Sequence, residues 1–359
     1  MAKKRITLPK DFGELLKKGD IRELIKVFEK CEINAHGGYG KQTAVAFPEC
    51  PHDLAKWLVE QGLDIETPNT YHYTPLQYRS TYAIGNIKSL LDLGASLHVN
   101  NRNGTALHCA ARDHVVANVK LLIERGAVID ALAESSLFSY GPSGEAYTPL
   151  ELALFTCNNI DIENTLEISK ILLQKGAKRT ERMKELVSKI GKEFEYVRPN
   201  FNKESVEQTS NALDELYHLF EVNSVPKRIL HDGTSPININ EATWQKQHEQ
   251  MWELLVPASG NALTLQGEVI RISGRVAREL LDNGGMNWDS DFKLMATSLN
   301  EFIQHGHQLS EEEASELAKI VNEITRKNDS NIDRLSELLV KWVLHNPTPI
   351  PLPQITYDR

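Results

Sequence analysis

The feature that most constrains the fold is a segment that recurs at a fixed period. Gly62, Gly94 and Gly126 are spaced by 32 residues, and each ends a short apolar segment. Related starts recur as well: TPLQY at 74–78, TALHCAA at 105–111 and TPLELAL at 148–154. A period of this length is typical of arrays in which each unit packs only on its neighbours. The first half of the 359-residue chain is therefore expected to form a stack of repeats.

The letters of one unit predict two short helices. A Thr hydroxyl can cap the free amides at a helix start, and Pro75 suits the first helical position. Small residues such as Ala110 and Ala111 allow close packing against the next unit. The Gly after the second helix can adopt the left-handed conformation that ends a helix. Two short helices cannot bury their apolar faces alone, so the stack creates the core.

These segments resemble ankyrin repeats, whose pattern of TPLH, paired Ala, a Leu pair and Gly-Ala recurs at about 33 residues. The resemblance covers about residues 10–195, with 11–34 as an atypical cap and 181–195 as a closing helix. It is close at 102–130, good at 71–98 and 145–178, and weak at 40–66. We expect about five repeats, the first of them degenerate.

Two departures from the pattern leave two interpretations open. Arg79 and Ser80 stand where the paired Ala is expected, and the insertion LAESSLFSYGPSGEAY precedes Thr148. Such differences either individualise a binding surface or are tolerated decorations, because a longer surface loop costs little free energy.

The second half predicts helices without a repeat. Apolar residues recur at helical spacing in six segments: 204–223, 240–257, 262–284, 290–306, 310–328 and 331–346. We therefore predict an all-α chain, an ankyrin-repeat solenoid followed by an α-helical bundle domain. The predicted division is 1–195 for the repeats, 196–239 for a helix and linker, and 240–359 for the bundle. Residues 252–289 resemble a helical segment of poorly characterised bacterial proteins, some of them immunity-type.

Composition argues against several classes of partner. The formal net charge is -9, so phosphate backbones and anionic lipids would repel the chain as a whole. No apolar stretch reaches the length of a signal peptide or a membrane span. We expect a cytoplasmic protein that binds neither nucleic acid nor membrane. The four cysteines lie singly, which predicts buried, reduced thiols.

Two motifs suggest ligand chemistry, and each has a simpler interpretation. GGYGKQT at 37–43 is similar to a phosphate-binding loop, but Ala35 replaces the first Gly and Gln42 replaces the Ser or Thr that holds magnesium. A repeat turn is the simpler interpretation. His305 and His307 have the spacing of an HxH zinc-binding pair. They either ligate zinc or lie at a solvated helix end. We expect no metal, no cofactor and no enzyme activity.

A set of charged residues lies at helical spacing in the second half. Glu268, Arg271 and Arg275 share one face of a predicted helix, as does Arg278. One interpretation is a salt-bridged structural network that also involves Asn287 and Asp289. The others are a charged recognition surface and, at the lowest weight, catalysis by Glu268.

The resemblance to ankyrin repeats implies protein binding through finger tips and inner helices. The corresponding finger positions here are Tyr71, His72, Tyr73, Asn101, Arg102, Asn103 and Tyr147. The corresponding inner-helix positions are Arg79, Tyr82, Arg112, Asp113 and Phe155. Partner contact should therefore concentrate on residues 71–158, because Tyr and Arg dominate interface energetics.

Two functional hypotheses follow. The first is a non-enzymatic binding protein, in particular a bacterial immunity protein or inhibitor that neutralises a toxin, since an acidic chain complements a basic partner. The alternative is an effector or adaptor whose helical half recruits or acts on a second protein. The sequence leaves the oligomeric state open.

Overall fold

The computed structural model of the chain describes residues 3–134 and 146–359. The chain divides into two compact units, each described below by itself. The repeat unit comprises Met1–Phe194 and Asn202–Val225, and the helical unit comprises Glu195–Phe201 and Pro226–Arg359. The described residues are mostly helical, as the sequence predicts.

The repeat unit contains paired helices along its length. Its α-helices are α1 (Phe12–Lys18), α2 (Ile21–Lys30), α3 (His52–Glu60), α4 (Pro75–Ser80), α5 (Ile87–Asp92), α6 (Ala106–Arg112), α7 (Val116–Glu124), α8 (Pro149–Phe155), α9 (Ile162–Gln174), α10 (Glu181–Val197) and α11 (Val206–Phe220). A single 3₁₀ turn, Ala44–Ala46, precedes α3. It takes the place of a full inner helix, and this agrees with the weak pattern at 40–66. The inner helices stack, with α4 on α6 and α6 on α8.

The same capping arrangement starts each regular inner helix. The hydroxyls of Thr74, Thr105 and Thr148 accept from the backbone N–H three residues later, at 3.3, 3.4 and 3.2 Å. The side chain at that later position reaches back to the N–H of the Thr, so two free amides are satisfied reciprocally. The predicted Thr caps are confirmed.

The side chain that completes each cap also bonds to the following repeat. Gln77 Nε2 donates to the Gly104 carbonyl at 2.6 Å. His108 Nε2 is 3.1 Å from the Tyr147 carbonyl, and Thr180 Oγ1 donates to Glu151 Oε1 at 2.8 Å. One position per repeat therefore fixes both a helix start and the contact with the neighbouring repeat.

The glycines of the repeat have the predicted conformation. Gly62, Gly94, Gly126 and Gly176 have φ values of 92°, 93°, 90° and 97°. Each follows the second helix of its unit by one or two residues, where left-handed backbone ends the helix. Ala110 and Ala111 are fully buried, as expected for residues packed between repeats.

Three short strands that the sequence did not predict lie beside the first two helices of the repeat unit. β1 (Arg5–Thr7) lies parallel to β2 (Cys31–Gly37), and β2 pairs antiparallel with β3 (Gln42–Thr43). The cap expected at 11–34 contains α1 and α2, but a strand, β2, leads from it into GGYGKQT. That segment is the turn of a hairpin, with positive φ at Gly38 and Lys41.

The predicted insertion before Thr148 lies largely outside the described residues. Its described ends form β4 (Ala133–Glu134) and β5 (Ala146–Tyr147), which pair antiparallel. Further along the chain, α11 packs on α9, so 202–225 belongs to the repeat unit. The structure thus divides the chain differently from a boundary at 195, because this helix finds its apolar partner in the last repeat.

The helical unit contains the other helices of the described chain. They are α12 (Trp244–Leu255), α13 (Leu265–Ala277), α14 (Ser290–Phe302), α15 (Glu311–Ile324) and α16 (Ile332–His345). The bundle has five long helices within the described residues instead of the six expected, because α11 belongs to the repeats. A π-helical turn, Arg278–Asp282, continues α13.

Helix α13 is the centre of the helical unit. It packs on α12, α14 and α16, and every residue from Leu265 to Ser273 is buried. Among its polar members, Gln266 is satisfied by the segment after α16. Gln266 Nε2 donates to the carbonyls of Asn346 and Thr348 at 2.9 and 2.7 Å. A helix buried on all sides needs such partners, because an unpaired buried amide costs about 1–3 kcal/mol.

The described cysteines are all buried and free, as expected, and burial raises the pKa of Cys50 to about 11. No helix in the described part of the chain is both long and apolar enough to cross a membrane.

We predict that His108 makes the repeat unit sensitive to acid. Its Nδ1 accepts from the Thr105 N–H at 3.0 Å, and burial lowers its pKa from 6.5 to about 4. Protonation therefore favours the unfolded chain. The stabilisation is complete above pH 6.5 and is lost as the pH falls through about 4. We expect the free energy of unfolding to fall by about 1–2 kcal/mol more between pH 7 and pH 5 in the natural chain than in His108→Gln.

Urea unfolding at the two pH values measures this difference. His108→Gln is the matched variant because Gln77 makes the same two contacts in the preceding repeat. Equal pH dependence of both chains would contradict the prediction.

Candidate functional site

Five tyrosines lie close together on the repeat unit and are named here the tyrosine cluster. They are Tyr39 in the β2–β3 turn, Tyr71 and Tyr73 before α4, Tyr78 on α4 and Tyr82 after it. Tyr39 is 93% exposed, and Tyr71 and Tyr82 are also exposed. Aromatic side chains are normally withdrawn from water, so a group with several exposed members indicates a contact surface.

The rings of the cluster contact one another in two groups. Tyr39 and Tyr71 stack with centroids 6.0 Å apart. Tyr78 lies edge-on to both Tyr73 and Tyr82, at 6.1 and 5.3 Å. The Tyr82 hydroxyl donates to the Tyr78 hydroxyl at 3.0 Å. Burial, together with this bond, raises the pKa of Tyr78, so its phenol stays neutral at physiological pH. The cluster therefore offers apolar ring surface with hydroxyl groups fixed in place.

An arginine from the next repeat extends the tyrosine cluster. Arg112 Nη1 donates to the Tyr73 hydroxyl at 2.8 Å, and its guanidinium lies 5.6 Å from the Tyr73 ring centroid. Arg112 also binds Asp113 through Nε and Nη2, at 2.9 and 2.5 Å. The side chain is thus held in one orientation before any partner arrives, and this lowers the entropy cost of binding.

A second aromatic pair lies on the following repeat. Tyr147 and Phe155 have centroids 5.3 Å apart. The Arg182 guanidinium lies 4.8 Å from the Tyr147 ring, and Lys189 Nζ lies 5.9 Å from the Phe155 ring. Phe155 is partly exposed, whereas Tyr147 is buried.

The structure separates the predicted contact residues into three groups. Five are exposed: Tyr71, His72, Tyr82, Arg102 and Asp113. Four are partly exposed: Tyr73, Asn101, Arg112 and Phe155. Three are buried: Arg79, Asn103 and Tyr147. The exposed and partly exposed residues between 71 and 113 lie in and beside the tyrosine cluster. Tyr39 was not predicted, although its place among turn glycines was a usable signal of exposure.

The prediction that Arg79 lies on the inner-helix surface is wrong. The residue is 0% exposed, and its guanidinium donates to the carbonyls of Cys50, Gly85 and Asn86 at 3.0, 3.4 and 3.3 Å. Burial lowers the pKa of Arg79. The side chain therefore joins its own repeat to the preceding one and does not contact solvent.

Asn101 and Asn103 shape the finger of the preceding repeat. Asn101 Nδ2 donates to the His72 carbonyl at 2.8 Å, and Asn103 Nδ2 donates to the Tyr71 carbonyl at 2.9 Å. His72 has a left-handed backbone with φ of 64°, so these bonds stabilise an otherwise strained turn. The two amides position Tyr71 and need not touch a partner themselves.

The charged residues of the helical unit form two separate groups. Glu268 is fully buried and accepts from Arg271 Nε and Nη2, at 2.9 and 2.6 Å, and from the Tyr357 hydroxyl at 2.6 Å. The structural-network hypothesis thus describes Glu268 and Arg271. It does not describe the remaining residues of the predicted set, which form a separate group because they bond to other side chains or, among the described residues, to none.

Asn287 and Asp289 belong to other contacts. The Asn287 N–H donates to Glu279 Oε1 at 2.6 Å, and Asp289 binds Arg359. Arg275 has no polar side-chain partner among the described residues.

The two histidines that are spaced as zinc ligands contact other groups of the helical unit. His305 follows the end of α14, with its Nδ1 at 3.3 Å from the Glu301 carbonyl, and the His307 ring lies 5.5 Å from the His345 ring. Within residues 3–134 and 146–359, no three His, Cys, Asp or Glu side chains converge as metal ligands would.

Comparisons with known proteins identify the repeats. The ankyrin-repeat family profile matches residues 42–133 in three copies. No curated protein sequence matches the chain. Among solved structures, the chain is similar to an ankyrin repeat domain from Acinetobacter baumannii AYE, with 20% identity and a TM-score of 0.39 over 57% of this chain and 96% of that one. The profile match shows that residues 42–133 are ankyrin repeats, and ankyrin repeats imply a role in protein–protein interaction.

We predict that replacing Arg79 destabilises the chain strongly. Arg79→Ala leaves three carbonyls without their donor, and we expect it to lower the free energy of unfolding by about 2 kcal/mol or more. Arg102→Ala is the matched control, because Arg102 is exposed and should change stability by less than about 0.5 kcal/mol. Urea unfolding of both variants measures the difference, and equal stability would contradict the buried role of Arg79.

Proposed function

We propose that the chain binds a partner protein through the tyrosine cluster and Arg112. The single observation that carries this proposal is the exposure of three tyrosines in this cluster: Tyr71 and Tyr82 beside α4, and Tyr39 in the β2–β3 turn. Tyr and Arg are enriched among the residues that dominate interface energies, and Tyr loses little rotamer freedom on binding. The contacts among these rings and Arg112 hold them in place, so little further ordering is needed.

The exposed charges beside the cluster support specificity. Arg102 and Asp113 are exposed on the repeat that supplies Arg112. Charged groups at the rim of an apolar contact exclude wrong partners and raise association rates more than they raise affinity. The apolar centre and the polar rim together have the composition of a protein interface.

Within that role, we propose that the chain neutralises a basic toxin. Two observations support this. The net charge is -9, which would accelerate association with a basic protein, and residues 252–289 resemble a helical segment of poorly characterised bacterial proteins, some of them immunity-type. The alternative is an effector or adaptor whose helical half recruits or acts on a second protein. In that case the partner of the repeats would have no toxicity of its own.

We predict that Tyr71→Ala weakens partner binding by about tenfold or more, because truncating a central aromatic anchor typically costs over 1 kcal/mol. The partner is first recovered from native cells with tagged full-length chain and identified by mass spectrometry. It is then purified and titrated against the natural chain and the variant. Tyr39→Ala should have a similar effect, because it removes the ring that stacks on Tyr71.

Glu124→Ala is the control, because Glu124 is exposed on α7 and lies outside the tyrosine cluster. We expect unchanged affinity for this variant. Unchanged affinity for Tyr71→Ala and Tyr39→Ala would contradict the proposed surface. A purified partner that does not harm cells when it is expressed alone would contradict the toxin hypothesis while leaving the surface intact.

A further inference from the structure

A cavity in the helical unit is lined by four arginines. Its volume is ≈ 990 Å³. Its wall comes from α12, the segment before α13, α13, the π-helical turn and the loop after it, the start of α14, Tyr196 and Arg359. The arginines are Arg271, Arg275, Arg278 and Arg359, against two lining carboxylates, those of Glu279 and Asp282. Volumes up to about 1,000 Å³ are typical of pockets for small molecules.

Arg271 presents a buried donor group that has no acceptor. The residue is 2% exposed and lines the cavity. Glu268 occupies Nε and Nη2, at 2.9 and 2.6 Å, whereas Nη1 is buried and has no hydrogen-bond partner among the described residues. A buried donor without an acceptor costs free energy, and more so on a charged group. An anion in the cavity would supply the missing acceptor.

Arg359 also has a buried donor group that lacks an acceptor. Its Nη2 binds Asp289 and its guanidinium lies 4.9 Å from the Phe292 ring centroid. Its Nε is buried and has no hydrogen-bond partner within residues 3–134 and 146–359. Two guanidinium groups at one cavity therefore each keep a buried N–H group unused.

Arg275 adds a positive charge that no carboxylate neutralises directly. It is exposed at the cavity and makes no hydrogen bond or salt bridge within the described residues. Burial and the charges of Arg271 and Arg359 lower the pKa of Arg275. Because a guanidinium remains protonated in proteins, these like charges repel one another until an anion binds.

One of the two lining carboxylates, that of Glu279, is already engaged. Glu279 accepts from the Asn287 N–H at 2.6 Å and from Asn283 Nδ2 at 2.9 Å. It therefore does not bind the free arginine donors, and the cavity keeps its excess of donor groups.

The remaining wall suits an organic group. Trp252 packs against Gly274 so closely that a Cβ at position 274 would lie 2.2 Å from the indole. The His248 ring stacks on Trp252 with centroids 6.4 Å apart, and His248 Nε2 lies 3.0 Å from Ser273 Oγ. The glycine thus admits an aromatic ring to the cavity beside the arginines. The volume also exceeds what a single phosphate group needs.

We propose that this cavity binds a small molecule through a phosphate group, with Arg271, Arg275 and Arg359 as the donors and Trp252 beside the organic part. Guanidinium groups match the planar, bidentate geometry of phosphate oxygens, and a phosphate accepts from several donors at once. The acidic chain as a whole disfavours a nucleic acid as the source of the phosphate.

The test is isothermal titration of the full-length chain at low ionic strength with three probes: pyrophosphate, ATP and citrate. We expect pyrophosphate and ATP to bind one per chain, and citrate to bind about tenfold more weakly, since its carboxylates offer fewer oxygens to each donor. Arg275→Gln should weaken both phosphate ligands by about tenfold or more, the typical loss for one charged hydrogen bond. This variant should fold normally, because Arg275 has no polar partner to lose.

Arg326→Gln is the matched control, because Arg326 is exposed in the same unit and does not line the cavity. Its affinities should equal those of the natural chain. The proposal is overturned if neither phosphate probe binds, if citrate binds as tightly as pyrophosphate, or if Arg275→Gln leaves affinity unchanged while its thermal unfolding is normal. Tighter binding of a phosphopeptide or an oligonucleotide than of ATP would also overturn it.

Discussion

One hydrogen-bonded position per repeat holds the first unit together: the third residue after each capping Thr. Gln77, His108 and Glu151 occupy it, and each both closes the cap of its own inner helix and bonds to the next repeat. A stack with only apolar contacts could slide, whereas a buried amide or imidazole with one acceptor in reach sets a single spacing. Three different side chains make this contact because each can reach a backbone or hydroxyl group of the neighbour.

This fixed spacing brings side chains of separate repeats into contact. Tyr39 reaches Tyr71, and Arg112 reaches Tyr73, across the boundaries between repeats. The proposed interface is thus a property of the stack and not of any single repeat. Loss of one bond between repeats should separate the rings and weaken the surface before the chain unfolds. The helical unit also depends on one buried polar residue, since Glu268 joins Arg271, the preceding loop and Tyr357.

Local sequence patterns predicted the helices and their caps. Contacts between residues far apart in the sequence determine which side chains form the candidate site. The Thr caps, the left-handed Gly126 and the small Ala110 depend on neighbours along the chain, so the sequence contained them. Arg79 looked like a surface residue because one of its three acceptors, the Cys50 carbonyl, comes from the preceding repeat and the other two come from the loop after α4. The Tyr357 bond to Glu268 spans 89 residues and has no local signature. Strand β2 pairs with β1, 24 or more residues earlier in the chain, as well as with β3, and the first of these pairings has no local signature.

Hydrogen exchange of the full-length chain, with and without its purified partner, tests most directly whether the ankyrin surface makes the contact. The account predicts slower exchange on partner binding at residues 69–82 and 101–113, where the tyrosine cluster and Arg112 lie, and unchanged exchange at 311–345, where α15 and α16 lie. Protection confined to residues 244–345, with none in the repeats, would contradict it.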